Sequence, residues 1–277
     1  MESTLSACYE ALGFENVPFS ITPDTALFYP GGRHVSAYRQ LHHACMNGVL
    51  SVLSGEIGLG KTLVIRCVLR TLPDEVKVAY VINPLMELPD LLHSIARDFG
   101  ATELPPHAPL SAVQDALVAL VLRGASEGRR FVVIVDEAHR LKAEALEALR
   151  LLSNLETERT KLISLVLVGQ PELDRTLALR AMRPLRERIG VWLQLTPLSR
   201  AECAAYVRHR IHRTHRDGSF DFSNPALWWL HWRTAGVPRR INLACERAVL
   251  LAYTAQTRRV TWAMVRQACN DFSKAWT

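Results

Sequence analysis

"SGEIGLGKTL", Ser54–Leu63, is the stretch on which the reading of this chain turns. Gly55, Gly60, Lys61 and Thr62 satisfy G-x-x-x-x-G-K-[ST], with a further glycine at 58. The apolar run "GVLSVL" before it reads as a buried strand, and Thr62 to Thr71 after it as a helix. In that setting glycines let the backbone wrap a phosphate closely, with N–H groups turned inward at the positive end of the following helix. Gly55, Glu56, Ile57, Gly58, Leu59, Gly60, Lys61 and Thr62 are therefore expected to hold a nucleotide. Lys61 would bridge the β- and γ-phosphates, and the Thr62 hydroxyl would ligate Mg2+.

Outward from this loop, apolar runs alternate with amphipathic stretches. Strands are expected at "GVLSVLSG", "VKVAYVIN", "RFVVIVDEA", "KLISLVLVGQ" and "VWLQLTPL". Between them, helices are expected at "LPDLLHSIARDFG" (closed by Gly100), "LSAVQDALVALVLRGA", "KAEALEALRLLSNLE" and around "PELDRTLAL", with "ELPPHAP" as a loop. Five continuously apolar strands separated by helices imply an α/β fold with a parallel sheet covered on both faces. From "SRAECAAYVRHRI" onward only helical periodicity remains, which implies a small α-helical second domain. The expected division is an N-terminal arm over 1–33, an α/β core over 34–198 and a helical lid over 199–277. Phe14, Pro18 and Phe19 in "FENVPFSITPD" suit either an apolar arm beside the adenine or plain packing on the core.

The length of 277 residues, with 49% hydrophobic and 22% charged residues, fits a soluble globular chain. No apolar run approaches the roughly 20 residues of a membrane span, and the start lacks a signal-peptide pattern. The six scattered cysteines contain no C-x-x-C pair and read as free thiols of a reducing compartment, which points to the cytoplasm. Charge is uneven. From Arg200 onward 13 Lys/Arg face 5 Asp/Glu, whereas the first 199 residues hold 20 against 22. A basic C-terminal module implies either a polyanion or acidic partner, or a solvated basic helix surface.

"FVVIVDEAH" brings Asp136 and Glu137 to the C-terminal end of a strand, where open α/β sheets place their ligands. Asp136 is expected to hold Mg2+ and Glu137 to polarise the attacking water as general base. His139 completes "DEAH", but helicases with that string need two sheet domains and this chain has room for one. Gln170, ending another strand, suits a hydrogen bond to the water or γ-phosphate, or a helix cap before Pro171. Arg183, Arg186 and Arg188 in "RPLRERIG" precede the last strand, where a cation would reach a neighbouring subunit's γ-phosphate as an arginine finger. Arg239 and Arg240 in "AGVPRRIN" open a lid helix, and one of them would report the γ-phosphate. His209, His212 and His215 belong with Arg210, Arg213 and Arg216 to a basic solvated helix face, not to a metal site. Trp228 and Trp232 share a helix face and are expected in the lid core, with Trp229 pointing elsewhere, to lid packing or else to a subunit contact.

The order of phosphate loop, D-E strand, polar sensor, pre-strand arginine and lid arginine resembles the AAA+ ATPases. "LGFENVPFSITPD", "SGEIGLGKT", "ALRLLSNLETERTKL", "LVGQPELD", "PLRERI" and "GVPRRINLACERAVLLAY" are similar to the ExeA/GspA family of secretion ATPases, across roughly residues 8 to 270. That resemblance implies a sheet with its five strands in the order 5-1-4-3-2, a helical lid, hydrolysis of ATP with Mg2+, and assembly into rings or filaments. It implies Arg188 as the finger, with Arg186 as the other candidate, and Arg239 as the lid sensor. "DEAH" departs from the family's D-E-A-Q while keeping both acids. The membrane helix and peptidoglycan-binding domain of ExeA/GspA proteins are missing from this sequence, which favours the soluble, MshM-like branch of MSHA pilus biogenesis. The partners so implied are further copies of the chain and secretion or pilus assembly proteins, in the cytoplasm or at the periphery of the inner membrane. A related TniB/TnsC-like branch implies double-stranded DNA and a transposase instead.

Overall fold

Strands form where Val, Ile and Leu run without interruption. In the computed structural model they are β1 (Leu50–Ser54), β2 (Val76–Val81), β3 (Arg130–Val135), β4 (Ile163–Gly169) and β5 (Ile189–Gln194). The structure describes residues 2–270 apart from 83, 85, 102, 103, 106, 107 and 159, so the loop "ELPPHAP" lies partly outside the described residues. All five strands are parallel, in the order β2-β3-β4-β1-β5, which is the 5-1-4-3-2 arrangement expected from the resemblance. β1 and β4 are buried along their whole length, as central strands covered on both faces must be. β5 departs from the expected continuous burial: its residues alternate half-buried and exposed, because it is an edge strand covered on one face.

The helices are α1 (Glu2–Ala11), α2 (Gly32–Met46), α3 (Lys61–Thr71), α4 (Leu88–Phe99), α5 (Leu110–Ser126), α6 (Ala143–Leu152), α7 (Pro171–Ala178), α8 (Arg183–Arg186), α9 (Arg200–Thr214), α10 (Asn224–Thr234), α11 (Pro238–Thr254) and α12 (Trp262–Asn270). Gly100 closes α4 in the left-handed conformation that a side chain resists, as its position after the last apolar turn implied. α6 stops earlier than "KAEALEALRLLSNLE" suggested: Asn154 lies past its end, and Glu156 pairs antiparallel with Lys161. α1 and α2 carry weak apolar periodicity and were not evident from the sequence.

Two compact units divide the chain, one of residues 36–57 and 67–195, the other of residues 1–35, 58–66 and 196–277. The first holds the sheet, with a core of Val52, Val133, Leu165 and Leu167 packed against Leu91, Ile95, Leu117 and Val121 from α4 and α5.

In the second unit the N-terminal segment is part of the helical core. Phe14 and Phe19 are fully buried, in edge contact with Phe220 and Phe222. Each such ring contributes about 2–3 kcal/mol by burial. Polar ties hold the same segment. Asn242 donates to the Ser20 carbonyl at 3.0 Å, and the Tyr206 hydroxyl donates to Asn242 at 2.8 Å. A short parallel pair, β6 (Asp221–Phe222) with β7 (Arg259–Val260), interrupts the run of helices where no strand was expected. It is only two residues deep, too short for a periodicity of two to register.

Three further expectations are corrected in this unit. Arg210 is not on a solvated face: it is 3% exposed, donates to the Pro18 carbonyl at 2.8 Å and lies over the Tyr206 ring. His215 is likewise buried, its ring edge-on to Phe14, with Nε2 bonded to the Leu12 carbonyl at 3.0 Å. Trp228 and Trp232 are not core residues. They are 45% and 59% exposed, while Trp229 between them is the ring that packs inward. Helical spacing groups residues on one face but does not say which face is covered. Among the described residues no cluster of His, Cys, Asp or Glu forms a metal group of the kind three histidines would make, and all six cysteines are free thiols.

Candidate nucleotide-binding site

The phosphate loop leaves β1 at Ser54, beside Gly169 of β4 in the register of the sheet. Gly58 and Gly60 take φ of +82° and +93°, a region that only glycine enters without strain. At Gly58 there is also no room for a side chain, since an added Cβ would lie 2.8 Å from Cβ of Arg239. The Arg239 backbone N–H donates to the Gly58 carbonyl at 3.1 Å. Thus the lid arginine expected as a sensor lies directly against the loop. Lys61 opens α3 and is 7% exposed. A cationic side chain beside the backbone N–H groups of a helix N-terminus, where the dipole also favours anions, suits the loop to a polyphosphate.

Beside the loop is a narrow cleft with a cavity volume of about 30 Å³, lined by Tyr29, His34, Leu59, Leu198, Tyr206 and Pro238 among others. His34 Nε2–H donates to the Leu59 carbonyl at 2.7 Å, which fixes the loop backbone from the side of the cleft. Burial lowers the His34 pKa and keeps the ring neutral; it pushes the Tyr206 phenol up to about 12. The lining is largely apolar with a few polar groups and lies directly against the phosphate loop. Sequence reasoning missed Tyr29, His34 and Tyr206. The one signal for Tyr29 and His34 was "YPGGRHV", two glycines followed by a histidine at a helix start.

At the C-terminal edge of the sheet, β3 and β4 bring Asp136, Glu137 and Gln170 together. Asp136 is buried, accepts from the Glu137 backbone N–H at 2.9 Å and from the Tyr80 hydroxyl at 3.2 Å. Glu137 has φ +54°, a strained backbone for a residue with a side chain. Its Oε2 accepts from Gln170 Nε2 at 3.4 Å, with His139 Nε2 at 3.7 Å and Arg140 Nε at 3.9 Å. Gln170 stands at the N-cap of α7 without capping it through its side chain, which is turned to Glu137 instead. His139 accepts the Gln170 backbone N–H on Nδ1 at 3.4 Å, so its Nε2 keeps the proton and faces Glu137. The three arginines before β5 differ. Arg183 pairs with Glu187 at 2.7 Å, and Arg186 donates to the Ala178 carbonyl at 3.0 Å. Arg188 is exposed and donates to the Asn154 side chain.

A family model described as an AAA domain matches residues 46–177, from just before β1 to α7. The chain is also 38% identical over 266 residues to General secretion pathway protein A of Aeromonas hydrophila, covering 94% of this chain and 48% of that protein. The chain has the fold of the AAA+ ATPases. Within them its sequence groups with General secretion pathway protein A, although it spans about half the length of that relative. Solved AAA+ structures confirm the fold. The ORC2 protein of Aeropyrum pernix, in its ADPNP–ADP complexes, superposes with a TM-score of 0.67 at 21% identity, covering 93% of this chain and 72% of that one. The ORC1 protein of the same organism, in complex with DNA, gives 0.66 at 19% identity, covering 94% and 70%. At such identities the likeness speaks for the AAA+ architecture alone. No helix among the described residues of this AAA+ chain is long and apolar enough to cross a membrane.

Proposed function

We propose that this chain binds ATP on the phosphate loop, hydrolyses it as a ring or filament of copies, and thereby drives assembly of a secretion or MSHA-like type IV pilus system. The observation that carries the chemical part is the strained Glu137 held by Gln170 at the sheet edge from which the loop departs. In this reading Glu137 takes a proton from water as the water oxygen bonds to the γ-phosphorus and the bond to the β,γ-bridging oxygen breaks. The Gln170 amide donates to Glu137 and leaves its own oxygen to orient that water. Lys61 offsets charge on the β- and γ-oxygens, and Arg239 follows the γ-phosphate from the lid. Mg2+, held by Thr62 and Asp136, would supply further charge neutralisation between the two phosphates.

Arg188 is the finger in this proposal. Arg186 spends its donors on backbone carbonyls of its own unit, whereas Arg188 is exposed and donates to the Asn154 side chain. The secretion role draws on the 38% identity to General secretion pathway protein A. A DNA-directed role in transposition is the weaker reading, because buried Arg210 is no longer available to a basic lid face. Phosphate release measured across protein concentrations, with light scattering in the presence and absence of ATP, tests the assembly. Activity per subunit should rise with concentration together with mass. Full activity in a monomer would contradict it, and tight ATP-dependent binding of duplex DNA would favour the transposition reading.

A further inference from the structure

Three indole rings meet at the outer face of α10 and α12. Trp228, Trp232 and Trp262 are 45%, 59% and 38% exposed. They surround the inward-packed Trp229 at ring separations of 6.2, 4.9 and 5.6 Å. Several large aromatic rings left side by side in water mark an interaction surface more often than a bare face. The charge on these two helices has one sign. Neither α10 nor α12 contains an Asp or Glu. The Arg233 guanidinium lies over Trp232 at 5.7 Å and that of Arg266 over Trp262 at 5.3 Å. Arg200 lines the adjoining groove with Asn224, Leu227 and Trp228.

We propose that the Trp228–Trp232–Trp262 face docks on an anionic lipid surface. Indoles, with an apolar body and one N–H, favour the headgroup level of a bilayer, and the arginines beside them add attraction to acidic headgroups. Two features favour this occupant over others. The large exposed apolar residues of the face are all tryptophan, whereas a groove for a protein helix is lined mainly by aliphatic side chains. Stacking of nucleic-acid bases needs open ring faces, and here guanidinium groups lie over those of Trp232 and Trp262. Arg266, which is exposed beside Trp262, is placed to meet headgroup phosphates. No helix need cross the bilayer, since the contact is superficial.

The test is co-sedimentation of the whole chain with vesicles of phosphatidylcholine alone, or of phosphatidylcholine with phosphatidylglycerol, at low and high salt. Binding is expected to the anionic vesicles only, with a blue shift of tryptophan emission, and it should weaken as salt rises. Trp228→Ala and Trp232→Ala should each weaken it about tenfold. Arg200→Gln and Arg266→Gln should each weaken it about fivefold. Thermal melts of the variants establish that they fold. Quenching of the unaltered protein by lipids brominated in the acyl chains reads the same contact without any substitution. Failure to sediment, equal binding to neutral vesicles, or unaffected binding by both the Trp228→Ala and the Trp232→Ala variant would overturn the proposal. So would binding of oligo-dT or polyglutamate in place of vesicles, which would assign the face to nucleic acid or to an acidic protein.

Discussion

The Arg239 backbone N–H donates to the Gly58 carbonyl at 3.1 Å, with the Arg239 Cβ filling the space that a side chain at position 58 would take. The loop and the start of α11 are thus fitted to one another through a glycine that no other residue replaces. Gly58→Ala would meet both the positive φ and the close contact. The strain of such a residue is about 1–3 kcal/mol. ATP affinity should fall by tenfold or more while the sheet stays folded, as isothermal titration and a thermal melt would read. Arg239→Ala keeps the backbone bond and should reduce hydrolysis more than it reduces binding.

Arg188 should act on a neighbouring copy. An Arg188→Ala subunit keeps its own phosphate loop and should regain turnover when mixed with Lys61→Ala subunits that still present an arginine. Asn154→Ala, which frees the guanidinium within its own subunit, should leave ATP binding unchanged. Absence of rescue at every mixing ratio would make Arg188 a surface residue.

Arg210 separates structure from charge. Removing its guanidinium leaves the Pro18 carbonyl unpaired inside the helical unit and uncovers Tyr206. Arg210→Ala should therefore lower stability by about 2 kcal/mol or more. Arg216→Ala, on an exposed residue facing Glu15 at 3.9 Å, should change the melting temperature little. Equal effects of the two substitutions in a thermal melt would contradict the buried placement.

His34 gives the site a pH dependence. Its folded pKa lies below the ordinary value of 6.5, chiefly because of burial. Between the folded and unfolded pKa values the unfolded chain binds the additional proton, so stability rises with pH. The stabilisation is complete above about pH 6.5 and is lost as acid takes the pH down towards the folded pKa. His34→Gln, which can still donate to the Leu59 carbonyl, should flatten that acid limb in melts from pH 5 to 8 while retaining nucleotide binding. An unchanged limb would place the dependence elsewhere.

Most of the α/β fold was legible because central parallel strands are apolar on both faces and the glycine loop fixes where one of them ends. The C-terminal edge was legible too: Asp136, Glu137 and Gln170 end strands, and strand ends are where such sheets gather polar groups. What the sequence concealed was burial that depends on distant partners. Arg210 reads as a surface cation until Pro18 and Tyr206 surround it, and Trp228 reads as core until Trp229 takes the inward position. The cleft was concealed for the same reason, since Tyr206 lies far along the chain from Tyr29 and His34.

The most direct measurement sets equilibrium ATP binding beside phosphate release for the unaltered chain, Lys61→Ala and Glu137→Gln. The proposed roles require that the Lys61 variant lose binding. They require that the Glu137 variant bind ATP as tightly as the unaltered chain and turn over at least about 100-fold more slowly. Unimpaired phosphate release from the Glu137 variant, or unimpaired binding by the Lys61 variant, would contradict the assignment of this loop and this strand end as an ATP-hydrolysing site.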